Sequence, residues 1–353
     1  MEQPLPDLPD EMITEIMSWL PPESLIRFKS VSKKWFSMIQ DRRFIEKHMS
    51  RSNYIQQFAK EEEEENPGIG GGTKEAFSIW NTCHGLLLER SNLTKKFRIR
   101  NPATRQVLDL PDHRPWMIIM ELYFVPSACD YRVASIYSDV ERDGYVFCEV
   151  LSLGSKDKDW RLLEVGPLRD LIKRGQKGWI LSMNGVIYFI ATGEDGFWDS
   201  GMLCLDMVNE AFTRVNVPRR LFPSWKMVKF FDWDHKPSVA SIVEDRLIIW
   251  VLEDVRNQIW AKNKIVVPMN FMKENPAMKN FKPFAACDGN LWLYGWNHRM
   301  ICYDIAFQTI RDLSSLRKKC LYVYKQTLVT LQGMRTEEEQ PREDLPSYTF
   351  PTL

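Results

Sequence analysis

The stretch LPDEMITEIMSWLPPESLIRFKSVSKKW, Leu8 to Trp35, decides how the chain begins. Ile13, Ile16, Met17 and Leu20 recur at three- and four-residue spacing, the period of one apolar helical stripe. Asp10 is placed to cap its start, and Pro21-Pro22 to end it. A second block from Ser24 puts Leu25, Phe28 and Val31 on one face, and Trp35, Met38 and Ile39 carry the pattern onward. Asp41 can cap a last turn holding Phe44, Ile45 and His48. Short helices of this total length bury little apolar surface alone, because domains below about 40 residues usually need help. The block therefore has to lay one face on a partner.

Composition divides the chain into residues 1–50 as helices, 51–75 as a linker, 76–332 as short strands and 333–353 as a tail. Within the linker, Glu61 to Glu65 is an unbroken acidic run, followed by Asn66-Pro67-Gly68 and Gly70-Gly71-Gly72. Charge repulsion and glycine entropy both oppose packing there. The tail, with Glu337-Glu338-Glu339, Pro341, Pro346 and Pro351, is expected to be disordered. A flexible linker argues against tight docking of the helices on the downstream domain, so their partner is expected to be another protein.

The anchors Leu8-Pro9, Leu20-Pro21 and Val31-Ser32-Lys33-Lys34-Trp35 resemble the F-box pattern of two Leu-Pro pairs and a Val-(Ser/Cys)-(Lys/Arg)-x-Trp ending. The resemblance implies binding to the Skp-type adaptor of cullin–RING ubiquitin ligases. Carried over residue by residue, it assigns that interface to Leu8, Pro9, Ile16, Leu20, Pro21, Leu25, Val31 and Trp35, and helical periodicity adds Ile13 and Phe28. The same side chains can form a private core of the helices, and Trp35 is the residue where the two roles compete most. Arg27, Lys29, Lys33, Lys34, Arg42, Arg43 and Lys47 make the block locally basic, so a DNA-binding helix-turn-helix is the alternative. The Pro21-Pro22 junction and the apolar density suit a protein groove better.

From Phe77 the period changes to short apolar runs between turn signals, such as Val186-Ile187-Tyr188-Phe189-Ile190 and Leu247-Ile248-Ile249-Trp250-Val251. A turn residue followed by apolar residues six and nine places later recurs at Asn101, Gly154, Asp206 and Asp304, spaced 53, 52 and 98 residues apart. A degenerate copy at Asp254 fills the double gap. A second turn signal opens a strand at His84-Gly85, Asn184-Gly185, Asp245-Arg246 and Asp288-Gly289. A period of about 50 residues with this content is that of a four-stranded propeller blade, giving five or six units. The late strand Leu321-Tyr322-Val323-Tyr324 is expected to pair with Phe77-Ser78-Ile79-Trp80 and close the ring. Cys83-His84-Gly85-Leu86-Leu87 and Arg100-Asn101-Pro102-Ala103-Thr104-Arg105 with Leu110-Pro111 resemble the first blade of the F-box-associated domain of plant F-box proteins. The fold class is thus α+β multidomain: a small helical F-box followed by an all-β propeller-like repeat domain.

The chain carries 47 basic and 47 acidic residues, which gives no bulk reason to expect nucleic acid as a partner. No apolar run approaches a membrane span, and Met1-Glu2-Gln3-Pro4 is unlike a signal peptide. The seven scattered cysteines suit a reducing compartment, so a cytoplasmic and/or nuclear location is expected, without a zinc site or cofactor. Asp232, Asp234 and His235 around Trp233 are the one cluster suggesting acid–base chemistry, and a charged loop is the plainer reading. Trp116, Trp179, Trp198, Trp225, Trp233, Trp260 and Trp296 are many tryptophans for loops and strand ends and are candidate recognition anchors, with at least half of them expected in blade cores. Together these readings imply a non-catalytic substrate receptor of an SCF-type ligase with an unknown protein target. A scaffold acting outside a ligase and a propeller enzyme stand as the alternatives.

Overall fold

The computed structural model describes residues 8–51, 54–60, 77–139, 145–155, 159–163, 178–183, 185–191, 202–217, 228–234, 236–274, 278, 281–295, 299–313 and 319–337. They group into two compact units. One contains Met1–Gln57, Phe77–Pro111 and Val323–Leu353, and the other contains Phe58–Ala76 and Asp112–Tyr322. This differs from the expected division, because the first strands and the C-terminal segment side with the helices. The acidic run 61–65, the glycines 70–72, Trp198, Trp225, Trp296, His235 and residues 338–353 lie outside the described residues.

The first unit opens with α1 (Asp10–Met17), α2 (Pro22–Phe28), α3 (Lys33–Gln40) and α4 (Arg42–Arg51). Pro9, and not Asp10, occupies the N-cap of α1, without a side-chain cap; Asp10 and Glu11 instead set negative charge against the helix dipole. Pro22 sits in the first turn of α2, where its missing N–H costs nothing. The Ser32 hydroxyl accepts from Trp35 N and caps α3, while Asp41 Oδ1 accepts from Arg43 N at 2.9 Å and starts α4. Met17, Leu25, Ile39 and Phe44 meet in a small core, joined by Leu328 from the far end of the chain.

His48 is part of this interior. It is 3% exposed, and its Nε2 lies 2.9 Å from the Leu20 carbonyl oxygen, which can only accept, so Nε2 carries the proton. Burial lowers its pKa from the ordinary 6.5, and the bond to Leu20 opposes part of that shift.

The same unit contains the first meander, β2 (Phe77–Cys83), β3 (Leu86–Ser91), β4 (Phe97–Asn101) and β5 (Gln106–Asp109), with β24 (Arg335–Thr336) added to its outer edge. Residues 333–337, read as the start of the tail, are thus part of this unit. The late strand β23 (Lys319–Lys325) pairs with β1 (Tyr54–Lys60), a segment read as linker, and not with Phe77–Trp80, which pairs with β3.

The second unit holds four more meanders. They are β6 (Met117–Val125), β7 (Asp130–Asp139), β8 (Tyr145–Ser152), β9 (Arg161–Leu163); β10 (Gly178–Met183), β11 (Val186–Ala191), β12 (Met202–Asp206), β13 (Ala211–Val215); β14 (Val228–Trp233), β15 (Lys236–Val243), β16 (Arg246–Asp254), β17 (Ile259–Trp260); and β19 (Lys282–Cys287), β20 (Asn290–Tyr294), β21 (Met300–Asp304), β22 (Thr309–Asp312). Strand β18 (Ile265–Pro268) pairs with β16. The last two meanders join through parallel first strands, Asp232 opposite Ala285 and Trp233 opposite Ala286. Successive sheets pack by their apolar faces. Ile136, Cys148 and Phe189 lie in one core, Tyr188, Val239 and Leu252 in the next, and Phe231, Ile249, Leu291 and Ile301 in the third.

The sequence repeat is a turn between the third and fourth strands. Asn101 Oδ1 accepts from Ala103 N, Asp206 Oδ1 from Val208 N, Asp254 Oδ1 from Asn257 N and Asp304 Oδ1 from Phe307 N, all within 2.9–3.0 Å. Four residues after each, Arg105, Glu210, Gln258 and Gln308 take φ of 52–55°. That left-handed conformation costs an ordinary residue about 1 kcal/mol or more. Three of these residues grip the preceding meander: Glu210 pairs with Arg132 and Arg161, Gln258 accepts from Asn216 N, and Gln308 bonds Asn270. Gly154 is the exception. Its N–H donates to Asp130 Oδ1 at 2.8 Å, and a Cβ there would lie 2.7 Å from that oxygen. The second turn signal is also less uniform than expected. Asp245-Arg246 belongs to the second hairpin of its meander, and Asp234 (φ 46°) makes the first.

Two outcomes follow from these contacts. An Asp304→Ala chain loses a local acceptor and is expected to be about 1 kcal/mol less stable by urea unfolding of the second unit. For His48, the unfolded chain takes up its proton near 6.5 while the folded chain resists it. Stability of the helices is therefore full above about pH 6.5 and is lost as pH falls below it. NMR titration of the His48 ring should give a midpoint under 6.5, and His48→Gln should remove that acid-side slope.

Candidate adaptor interface

Helix α1 and the turn after it are apolar on two faces with the same period. Ile13, Met17 and Leu20 turn inward; Met12, Ile16 and Trp19 turn outward and are 51, 53 and 66% exposed. A helix that is apolar on both sides expects cover on both. Leu8, Val31 and Phe36 add further exposed apolar side chains to this module.

The ten residues expected at an interface therefore separate into three groups. Leu8, Pro9, Ile16, Pro21 and Val31 are exposed. Ile13, Leu20, Phe28 and Trp35 are half-buried against the helical core, with the Phe28 and Trp35 rings 5.4 Å apart. Leu25 is fully buried. Trp35 thus serves internal packing in this module, and the single stripe Ile13–Ile16–Met17–Leu20 is two stripes. Met12, Trp19 and Phe36 are exposed apolar side chains that sequence reasoning did not single out, although Met12 and Trp19 share the spacing of the stripe it found.

A charged clamp holds the outward face. Glu15 Oε2 lies 2.7 Å from Lys47 Nζ, and Glu15 Oε1 lies 2.7 Å from an Arg51 guanidinium nitrogen. The Arg51 guanidinium also stacks over the Trp19 ring, 4.6 Å from its centroid, and bonds Ser18 Oγ. Lys47 and then Arg51 hold the Glu15 carboxyl well below the usual carboxylate range, at about 2. Other members of the basic block are partnered too: Lys34 pairs with Asp10 and Arg42 with Glu46. Burial lowers the pKa of Lys29.

The candidate acid–base cluster is a hairpin. Asp232 and Trp233 end β14, and Asp234 N donates to the Ala286 carbonyl at 2.8 Å. His84 and Gly85, with φ of 47° and 83°, form a turn, and His113 Nδ1 lies 2.8 Å from the Arg114 carbonyl. Among the described residues, no group of three His, Cys, Asp or Glu side chains is placed to hold a metal. Of the tryptophans, Trp116 is 68% exposed, Trp233 packs against the last core, and Trp160 and Trp260 donate to the Asp112 and Asn216 carbonyls.

Residues 25–294 match the family described as the F-box associated beta propeller domain. An F-box protein of Arabidopsis thaliana is 25% identical over 334 residues, covering 79% of this chain and 82% of its own. A putative F-box protein of the same plant is 25% identical, covering 76% and 75%, and an F-box/kelch-repeat protein is 23% identical, covering 75% and 70%. Among solved structures, an oligogalacturonate lyase in complex with manganese is 8% identical, with a TM-score of 0.36 over 74% of this chain and 85% of that one. At that TM-score the likeness supports no argument about activity. With short N-terminal helices, a large set of four-stranded antiparallel meanders and the family match over most of its length, the chain is a plant F-box protein belonging to the F-box associated beta propeller domain family.

Proposed function

We propose that this chain is the substrate-recognition subunit of an SCF-type cullin–RING ubiquitin ligase, acting in the cytoplasm and/or nucleus without chemistry of its own. Its helices bind a Skp-type adaptor, and its strand domain holds a protein target for ubiquitination. The observation that carries this reading is the outward apolar stripe Met12, Ile16 and Trp19, backed by Leu8, Val31 and Phe36, on a module whose inward stripe is already covered. Such a stripe suits a hydrophobic groove on a partner. Ion pairing within the basic block favours a protein partner over a phosphate backbone. The contribution to ubiquitin transfer is proximity: the target is held where the transferring group can reach it.

The exposed residues give a clean test, because changing them leaves the helical core intact. Ile16→Asp combined with Trp19→Ala should weaken binding to a purified Skp-type adaptor by about a hundredfold, on the scale of two lost hot-spot side chains. Trp116→Ala should leave adaptor binding unchanged. Equal binding by the wild type and the double variant would sink the assignment. Adaptor binding without ubiquitin transfer to a genuine bound target, in a reconstituted ligase, would favour a scaffold outside the ligase.

A further inference from the structure

We infer that the C-terminal segment 326–337 is a working part of the adaptor-binding module, a strap that completes the helical core and ties it to the first meander. This rests on the adaptor reading proposed above. The Leu328 side chain is 1% exposed and sits among Met17, Leu25, Ile39 and Phe44. Its neighbour Gln326 donates through Nε2 to Glu23 Oε1 at 3.0 Å. Asn101, fully buried at the end of β4, donates through Nδ2 to the carbonyls on both sides of Leu328: Thr327 at 3.0 Å and Val329 at 2.8 Å. The same side chain's Oδ1 caps the turn after β4, so one residue ties strap and meander together.

Further along, Thr330 Oγ1 lies 3.0 Å from Gln106 Oε1, and Arg335 and Thr336 pair with Val107 and Gln106. Glu337 N donates to the Arg105 carbonyl at 3.0 Å, Arg335 pairs with Asp109, and Glu337 pairs with Arg100. The strap thus has two ends with different jobs. Leu328 supplies an apolar side chain to helices too few to close their own core, and residues 330–337 anchor it to the sheet. Met17, which shares that core with Leu328, lies on the helix that carries Met12 and Ile16 of the outward stripe. Seating of the strap and adaptor binding are therefore linked, and linkage works in both directions.

The test compares the full chain with a chain ended after Lys325, a chain ended after Gln340, and the point variants Leu328→Ser and Asn101→Ala. Binding to a purified Skp-type adaptor and amide exchange of α1–α4 are measured on each. Ending after Gln340 should leave both unchanged. Ending after Lys325 should weaken adaptor binding at least tenfold and speed exchange in α1–α4, and excess synthetic peptide of residues 323–340 should restore part of the affinity. Leu328→Ser and Asn101→Ala should act in the same direction, more weakly. In the full chain, saturating adaptor should slow exchange across 326–337, which a strap serving the sheet alone would not show. Wild-type binding and unchanged exchange in the Lys325-ended chain and in Leu328→Ser would overturn the inference. If the full chain binds no adaptor, the proposed function fails, and exchange in α1–α4 still decides whether the strap completes the module.

Discussion

Four short helices with large apolar side chains on opposite faces pose one constraint that shapes the first unit. Surface on both sides of α1 has to be covered, and the helices alone have too few residues to do it. The inward side is settled within the chain, where Met17, Leu25, Ile39 and Phe44 close around Leu328. The outward side, Met12, Ile16 and Trp19, is left facing solvent. The Glu15–Lys47–Arg51 clamp then acts across α1 and α4, so the exposed face belongs to a braced surface. That separation leaves one small module packed on one face and apolar on the other.

The strand domain solves a different problem by local means. Each meander must end its third strand, turn, and return a fourth, and an Asx side chain supplies the missing acceptor at four of the five turns. The residue that closes the turn is forced into the left-handed region. In three cases its side chain reaches the preceding meander, so a strained position also links neighbours. Apolar strand faces fill the space between successive sheets. Turn chemistry and sheet stacking are thereby set by the same short repeat.

What the sequence revealed follows that distinction between local and distant forces. The helices and the Asx turns were legible because capping, proline placement and side-chain-to-backbone bonds act within a few residues. The orientation of α1 was not, because Ile13–Met17–Leu20 and Met12–Ile16–Trp19 have one period and spacing cannot tell inside from outside. The pairing of β23 with β1 was hidden because strand partners are chosen by tertiary packing, and Tyr54–Lys60 lies beside a linker-like acidic run. Leu328 carried no signal at all, since residues 326–337 have no regular period to read.

Leu328 also makes completion of the helical core a long-range event. The bond from Gln326 to Glu23 spans 303 positions, so closing this part of the helical core requires a contact between segments far apart in sequence. Contacts of such separation carry a loop-closure cost that contacts within a helix do not. During synthesis the helices leave the ribosome before the side chain that seals them has been made. A partner that needs the sealed module would therefore engage it only once residues 326–337 have been made and seated.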